Sequence, residues 1–259
     1  MPEFTRLTSR QHDIVKRFRL AAKRRTDDSV LLDGDHLLAD AIEAGVKIDV
    51  AIVTSAHRAL AVRARRAGAT VYDATDAVIE AASPVRTPSG VVALAHWTPA
   101  TIDRALGEAG ALVVGLVNVQ DPGNVGSAIR SADALGATGV VAIDGTAHPG
   151  GWKALRGAMG STFRVPVAVA GINETLAAAV RYGLQVAASV ARDGRPAHEA
   201  DLSKPTLLLL GGEGAGLDPS LVGRADVRVT IPMRSNIDSL NVSATAALLL
   251  YEARRQRSS

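Results

Sequence analysis

The sequence predicts an α/β fold, in which helices and strands alternate along most of the 259 residues. Two observations support this prediction. Short apolar runs bounded by Gly and Pro turns alternate with segments whose apolar residues recur at helical spacing. In addition, the run 206–210 reads Thr-Leu-Leu-Leu-Leu. A strand without polar alternation is typical of a parallel sheet that helices cover on both faces.

The first half of the chain predicts a small α/β domain over residues 1–97, which ends where the pattern pauses at Trp97-Thr98-Pro99. A basic helix is predicted over residues 9–25. A second helix, which stops at Gly45, is predicted from four apolar residues on one face, Leu37, Leu38, Ala41 and Ile42. The remaining predicted elements are strands at 30–32, 48–53, 70–72 and 90–95, and a helix at 56–67.

The second half, residues 98–259, alternates more strongly and predicts the parallel sheet. Its predicted strands lie at 111–117, 139–143, 165–170, 184–190, 206–210 and 227–231, and its predicted helices at 126–135, at 174–182 and from residue 239 onward. The last residues are rich in Arg, and we expect this C-terminal end to fray.

The charge is distributed unevenly along the chain. The net charge is +3, from 29 Lys and Arg against 26 Asp and Glu. Residues 1–25 contain eight basic residues against Glu3 and Asp13, a local +6, so the other residues sum to −3. A basic segment on a slightly acidic protein indicates an anionic partner such as nucleic acid.

Composition excludes several classes of protein. The chain has no Cys, which excludes disulfides, zinc–thiolate sites and cysteine nucleophiles. Its six His are scattered, so we expect no metal site. Two Trp, three Tyr and three Phe are too few to stack successive bases of a single strand. No apolar run approaches the roughly 18 residues of a membrane span, and no signal peptide is evident, so we expect a cytoplasmic protein.

The first candidate site segment runs from Val117 to Arg130 and reads Val-Asn-Val-Gln-Asp-Pro-Gly-Asn-Val-Gly-Ser-Ala-Ile-Arg. It leads from a strand into a helix, the position where open α/β sheets build ligand sites. Asn124 is predicted to cap the helix, and Arg130 follows six residues later. Taken alone, this pair is better explained by a structural helix cap and a surface arginine than by a ligand site.

The second segment, Gly-Gly-Glu-Gly-Ala-Gly-Leu at 211–217, follows the Leu-rich strand. Its glycines allow the backbone to approach a ligand, and free N–H groups there could hold a nucleotide-like molecule. A tight turn is the simpler explanation. The segment has neither the P-loop pattern nor the dinucleotide-binding fingerprint.

The third segment comprises Ile231-Pro232-Met233 and, after a polar loop, Ser239-Leu240-Asn241-Val242-Ser243. Ser239 is predicted to be the N-cap of the last helix. Asn241 and Ser243 would need hydrogen-bond partners if buried. Helix capping explains one of these three polar residues, but not all of them.

Together and in this order, the three segments resemble the signature motifs of the SpoU family of ribose 2′-O-methyltransferases. The first resembles Asn-x-Gly-x-x-x-Arg, the second Gly-x-Glu-x-x-Gly, and the third Ile-Pro-Met followed by Ser-Leu-Asn-Val-Ser. Residues 153–161 are also similar to family members that act on large-subunit ribosomal RNA. Asp33-Gly34 stands where the RNA-binding domain of the family usually has Glu-Gly.

The resemblance implies a trefoil-knotted methyltransferase domain behind a smaller RNA-binding domain with a ribosomal-protein-like α/β fold. It also implies a homodimer, S-adenosyl-L-methionine as cofactor and 2′-O-methylation of ribosomal RNA, with the 23S molecule expected. The catalytic residues implied are Asn124, Arg130, Glu213, Ser239 and Asn241. The cofactor-binding residues implied are Gly211, Gly212, Gly216, Ile231, Met233, Leu240 and Ser243.

Three other functions remain open at this point. The substrate could be transfer RNA, or the protein could be a non-catalytic RNA-binding or ribosome assembly factor. A nicotinamide-dependent dehydrogenase fits the α/β pattern but lacks the glycine fingerprint. Within the methyltransferase hypothesis, an arginine that titrates above about 12 is a poor base. We therefore expect Arg130 to position a phosphate and to stabilise charge on the 2′-oxygen.

Overall fold

The computed structural model describes residues 4–23 and 28–258, which form two compact units. The first unit comprises residues 1–98 and 150–163, and the second comprises residues 99–149 and 164–259. Residues 150–163, which the sequence analysis assigned to the second domain, thus group with the first unit. In the described residues, no helix is long and apolar enough to cross a membrane.

The elements are numbered along the chain. The strands are β1 (Thr5–Leu7), β2 (Ser29–Asp33), β3 (Ile48–Val53), β4 (Thr70–Ala74), β5 (Val91–His96), β6 (Leu112–Val117), β7 (Gly139–Ile143), β8 (Val167–Ala170), β9 (Gln185–Ser189), β10 (Arg195–Pro196), β11 (Thr206–Gly211) and β12 (Val227–Thr230). The α-helices are α1 (Asp13–Lys23), α2 (Asp35–Glu43), α3 (Arg58–Arg66), α4 (Asp76–Ala82), α5 (Ile102–Leu106), α6 (Pro122–Ala134), α7 (Trp152–Ala158), α8 (Ile172–Arg181), α9 (Pro219–Val222) and α10 (Val242–Arg257). Two short 3₁₀ helices lie at Ser55–His57 and Ser161–Phe163.

The first unit is built on a five-stranded sheet in the order β1-β4-β3-β5-β2. β5 runs antiparallel to its neighbours β3 and β2, whereas β1, β4 and β3 are parallel. Helices bury apolar side chains on both faces. Phe18 of α1 is fully buried on one face, and Leu38 of α2, Ala61 of α3 and Leu155 of α7 are fully buried on the other.

Helix α1 confirms the predicted basic helix but begins at Asp13, and residues 24 and 25 of the prediction lie outside the described residues. Its buried residues Val15 and Phe18 make it part of the core. Much of its charge is paired within the protein, because Lys16 contacts Asp13 at 2.8 Å and Arg17 contacts Asp49. The helix is therefore a structural element of the unit rather than an appended arm.

The second unit confirms the predicted parallel sheet. Its seven strands have the order β10-β12-β9-β11-β6-β7-β8, and each neighbouring pair is parallel. β11 lies between β9 and β6, and its residues Leu207–Leu210 are buried. The continuous apolar run thus reflects burial on both faces of the sheet. The trefoil knot stays a prediction.

Two predicted helix caps are wrong. Asp121, not Asn124, caps α6, since its carboxylate accepts a hydrogen bond from the Asn124 backbone N–H at 2.9 Å and Pro122 occupies the first turn. Likewise Asn241, not Ser239, caps α10. In both cases the segment offers several capping residues, and Pro122 at the first helical position favours the earlier start of α6.

The C-terminal end does not fray within the described residues, because Arg257 ties α10 to two loops. Its guanidinium donates hydrogen bonds to the carbonyl oxygens of Gly110 at 2.6 Å, Leu202 at 3.0 Å and Ala111 at 3.3 Å, and also to that of Lys204. One side chain therefore satisfies backbone acceptors that would otherwise depend on water.

Replacement of Arg257 by Ala should lower the free energy of unfolding by about 2–3 kcal/mol, since several charge-assisted hydrogen bonds are lost at once. Arg254→Ala is the matched control, because Arg254 donates a single hydrogen bond to Ala134 at 3.3 Å. Urea denaturation of the two variants would measure the difference. Equal losses in both would contradict the tethering role of Arg257.

A buried carboxylate ends strand β2 in the first unit. The side chain of Asp33 is 2% exposed, and it accepts a hydrogen bond from the Ser83 hydroxyl. Burial raises the pKa of Asp33 above its ordinary value of 3.8, against the opposing effects of Ser83 and Arg156. The charged carboxylate is therefore harder to form in the folded protein than in the unfolded chain.

The effect of Asp33→Asn on the free energy of unfolding should consequently become more stabilising as the pH rises. A pKa raised by folding contributes stability that is present below the unfolded pKa and is lost as pH rises through the folded pKa. Relative to the Asn variant, the wild type should therefore lose stability as the pH increases from about 4 towards 7. Urea unfolding of both proteins across this pH range tests the sign. A constant difference would contradict it.

Candidate active site

The first two motif segments meet at the carboxyl edge of the parallel sheet. Gly211 at the end of β11 is the register partner of Val117 at the end of β6. The backbone N–H of Gly212 also donates to the carbonyl oxygen of Val117 at 2.8 Å. Because parallel strands share this edge, the loops that follow β6 and β11 begin side by side.

Gly212 allows the backbones of the two loops to touch, and Gly211 allows close backbone contact within the second loop. A Cβ on Gly212 would lie 2.0 Å from the carbonyl oxygen of Asn118, and a Cβ on Gly211 would lie 2.2 Å from the carbonyl carbon of Gly216. Asn118 itself adopts a left-handed conformation with φ 54°, which Asn tolerates better than most residues. The glycines at 211 and 212 are therefore required by close backbone packing.

Polar side chains of the three segments form one hydrogen-bonded triangle. The Nδ2 group of Asn124 donates to Oε1 of Glu213. The Nδ2 group of Asn241 donates to Oδ1 of Asn124 at 3.0 Å and lies 3.4 Å from the same Glu213 oxygen. The polar triangle, as we call Asn124, Glu213 and Asn241, joins residues up to 117 positions apart in the sequence.

The two polar atoms of the Asn241 side chain make separate sets of contacts. Its Oδ1 atom accepts from the backbone N–H of Ser243 at 2.9 Å and of Ala244 at 3.4 Å, as expected of an N-cap, and from the Ser243 hydroxyl at 2.6 Å. Its Nδ2 group meanwhile faces the polar triangle. The start of α10 therefore fixes the orientation of the amide that reaches Asn124 and Glu213.

A pocket of about 570 Å³ opens beside the polar triangle. Of the residues predicted to bind cofactor, Gly211, Gly212, Gly216, Ile231, Met233 and Leu240 line it, whereas Ser243 does not. Of the predicted catalytic residues, Glu213, Ser239 and Asn241 line it, whereas Asn124 and Arg130 do not. Asn124 nevertheless reaches the pocket edge through its hydrogen bond to Glu213.

Part of the pocket wall was not predicted from the sequence. Ser189, Val190 and Ala191, at and after the end of β9, line the pocket together with Asp238 and Thr245. β9 is the other neighbour of β11 in the sheet. The rule that ligands bind beyond the carboxyl ends of neighbouring strands would have identified these residues once the strand order was known.

Arg130 is separated from the pocket. It lies on the exposed side of α6 and makes no hydrogen bond or ion pair within residues 4–23 and 28–258. It is six positions from Asn124 on the helix, so the two side chains project from different faces of α6 and lie about 9 Å apart along its axis. Within one chain, the structure does not bring Arg130 to the predicted cofactor-binding residues.

The described residues contain no group of three or more His, Asp or Glu side chains that could hold a metal ion. The pocket instead combines two carboxylates, Glu213 and Asp238, with apolar side chains such as Leu210 and Ile231. Arg192 lies 3.4 Å from Asp238 and connects the loop after β9 to the loop before α10. Such a site suits an organic ligand with both cationic and apolar parts.

Comparison with known proteins matches residues 111–251 to the SpoU rRNA Methylase family and residues 14–93 to an MRM3-like substrate binding domain. The chain is 30% identical to the 23S rRNA (guanosine(2553)-2′-O)-methyltransferase RlmP of Bacillus subtilis, over 92% of this chain and 94% of that protein.

Solved structures agree over nearly the whole chain. An AdoMet-bound rRNA methyltransferase from Sinorhizobium meliloti superposes with a TM-score of 0.88 at 30% identity, over 97% of this chain and 98% of that chain. The SpoU methyltransferase AviRb from Streptomyces viridochromogenes, in complex with AdoMet, gives a TM-score of 0.84 at 27% identity, over 96% of this chain and 99% of that chain.

Two substitutions at Asn241 should separate its capping role from its place in the polar triangle. Asn241→Ala should lower the free energy of unfolding by about 1 kcal/mol, because the cap of α10 is lost. Asn241→Ser should stay within a few tenths of a kcal/mol of the wild type, because Ser is also a good N-cap. Urea denaturation measures both values. An equal loss in the Ser variant would show that the triangle, and not the cap, stabilises the fold.

Proposed function

The chain belongs to the SpoU rRNA Methylase family, and on this premise we propose that it methylates a ribose 2′-hydroxyl of 23S ribosomal RNA with S-adenosyl-L-methionine as the methyl donor. The observation that carries this proposal is the polar triangle, which joins all three motifs at the edge of the pocket. Membership of this family argues against the nicotinamide-dependent dehydrogenase, and the intact triangle argues against a degenerate, non-catalytic site.

The pocket fits the proposed cofactor. A volume of about 570 Å³ lies within the usual range for sites that enclose a small organic ligand. We infer that Leu210, Ile231 and Leu240 contact the apolar parts of the adenosine. The carboxylates of Glu213 and Asp238 would favour the positive charge of the sulfonium centre of the cofactor. When bound, S-adenosyl-L-methionine supplies a methyl group activated by a sulfonium centre.

The residues of the chain must align the 2′-hydroxyl and assist the loss of its proton, because the neutral hydroxyl is a weak nucleophile. Asn124 and Asn241 orient the carboxylate of Glu213 by donating amide hydrogens to it. Arg130 carries a permanent positive charge. We assign it to binding a phosphate of the RNA and stabilising negative charge as it develops on the 2′-oxygen, while the proton passes to water.

We further propose a homodimer in which Arg130 of one subunit completes the pocket of the other. Arg130 is exposed and lies outside the pocket lining of its own chain. α10 packs against α6, and on α10 the apolar side chains Leu248 and Tyr251 are 48% and 62% exposed. An exposed apolar face next to the helix that carries Arg130 is suited to self-association.

The proposed substrate is inferred from the names of the relatives and from the division of the chain into two units. RlmP, which matches over nearly the full length, is named as a 23S rRNA enzyme. We assign residues 1–97 to RNA binding and residues 98–259 to methyl transfer, with residues 150–163 contributing to the first unit. We also propose that the protein acts in the cytoplasm, in keeping with a ribosomal RNA substrate.

The activity can be tested with an unmodified 23S rRNA transcript and radiolabelled S-adenosyl-L-methionine, with the 2′-O-methyl group located by mass spectrometry. Arg130→Ala should reduce turnover by about a hundredfold or more, as expected when stabilisation of developing charge is lost. Arg224→Ala is a matched control, because Arg224 is exposed and donates to Asn173 elsewhere on the second unit. Binding of the cofactor should be unchanged in both. Transfer to transfer RNA alone would refute the substrate, and near-normal turnover of Arg130→Ala would refute its role.

Mixing two inactive variants tests the shared site. If Arg130 acts on the pocket of the partner, a re-equilibrated mixture of Arg130→Ala and Asn241→Ser should recover about a quarter of the wild-type activity, because half of the dimers contain one complete site. Each variant alone should be inactive. No recovery in mixed dimers, confirmed by differential tagging, would place Arg130 in its own subunit's site.

A further inference from the structure

Helix α7 belongs to the first unit although its sequence lies within residues 111–251, which match the methylase family. Leu155 is fully buried in the core on one face of the five-stranded sheet, and Trp152 packs against the core on the other. Helix α7 contains two cations, Lys153 and Arg156, and no acidic residue. They are three positions apart on the helix, so they are neighbours on one face.

Arg156 has an unusual environment. Its Nη1 atom lies 3.6 Å from Oδ1 of Asp33, a carboxylate whose side chain is 2% exposed. This distance is that of an ion pair and is too long for a hydrogen bond. Within the described residues Arg156 makes no hydrogen bond, and its side chain is 44% exposed. A buried negative charge thus holds a guanidinium whose donors remain available to a ligand.

A purely structural carboxylate is a weak explanation for Asp33. Burying a carboxylate costs free energy unless its partners compensate, and its partners in the described residues are the Ser83 hydroxyl and Arg156. Ser83 also accepts a hydrogen bond from the backbone N–H of Val85 at 3.0 Å. The carboxylate therefore organises the loop after α4 and the guanidinium of α7 together. At the far end of α7, Asp40 lies against Gly160.

Several other cations of the first unit are engaged within the protein. On α1, Lys16 and Arg17 contact Asp13 and Asp49. On α3, Arg63 contacts Glu43 at 2.8 Å. On α7, by contrast, Lys153 lies over the ring of Trp152, 5.5 Å from its centroid, which leaves its ammonium hydrogens available. Lys153 and Arg156 are therefore more available to an external anion than the paired Lys16 and Arg17.

We propose that Lys153 and Arg156 bind phosphate groups of the RNA backbone, and that Asp33 is the positioning residue for Arg156. This inference rests on the proposed function, since it assumes an RNA substrate. Arg presents planar N–H groups that match the geometry of a phosphate, and a buried carboxylate behind it restricts its rotamers before the RNA arrives. The two side chains would contact the phosphate backbone and not the bases, so they would contribute affinity without sequence preference.

The test is filter binding of an unmodified 23S rRNA transcript to the full-length protein over a range of salt concentrations. Each lost phosphate contact should reduce the slope of log affinity against log salt by about 0.7–0.9. Arg156→Ala and Lys153→Ala should each show this reduction, whereas Arg156→Lys should keep the slope and bind more weakly. Lys204→Ala is the matched control, since Lys204 is an exposed cation of the second unit that is paired with Asp201 at 3.1 Å, and its slope should equal that of the wild type.

Asp33→Asn tests the positioning role. RNA affinity should fall severalfold, while the thermal unfolding midpoint at neutral pH stays at or above that of the wild type and cofactor binding is unchanged. A structural role alone would lower the midpoint together with the affinity. Wild-type slopes in both Arg156→Ala and Lys153→Ala would overturn the inference, as would an equal change in Lys204→Ala. If the wild type methylates the transcript in that case, the proposed function stands and only this inference fails. If the wild type neither binds nor methylates it, both fail.

Discussion

The backbone contact between Gly212 and Asn118 is the constraint on which the arrangement of the second unit depends. It allows the loops after β6 and β11 to leave adjacent strands without a side chain between them. Glu213 is the next residue after Gly212, and Asn124 lies one turn into the helix after Asn118. The carboxylate and the amide therefore meet because the two main chains already touch. A side chain at position 212 would separate them before it altered any polar group.

Much of the sheet could be predicted from the sequence, because burial on both faces leaves a clear apolar run in each central strand. The helix starts were harder to predict, since Asp121 and Asn124, or Ser239 and Asn241, are all acceptable caps and only the three-dimensional contacts select one. Short elements such as β1 and α9 carry too few residues for a periodic pattern. The role of α7 in the first unit could not be predicted, because the chain on either side of residues 150–163 belongs to the second unit.

The candidate site, like the fold, was predicted from the sequence only in part. The three motif segments contain the pocket loops and the members of the polar triangle, which lie at strand ends and helix starts. The motifs did not identify the pocket wall after β9, which depends on the strand order, or the separation of Arg130 from the pocket, which depends on the direction of one helical face. A residue can thus belong to a site motif in sequence and still lie outside the site of its own chain.

The grouping of residues 150–163 with the first unit has a consequence for how this protein can be divided. The chain passes between the units three times, after residues 98, 149 and 163. A fragment that stops at residue 97 would lack Leu155 in its core and would leave Asp33 buried without its cation. The two units are therefore not interchangeable modules. Recombination that exchanged the N-terminal part alone would have to preserve the surface that receives α7, so the two parts are constrained to evolve together.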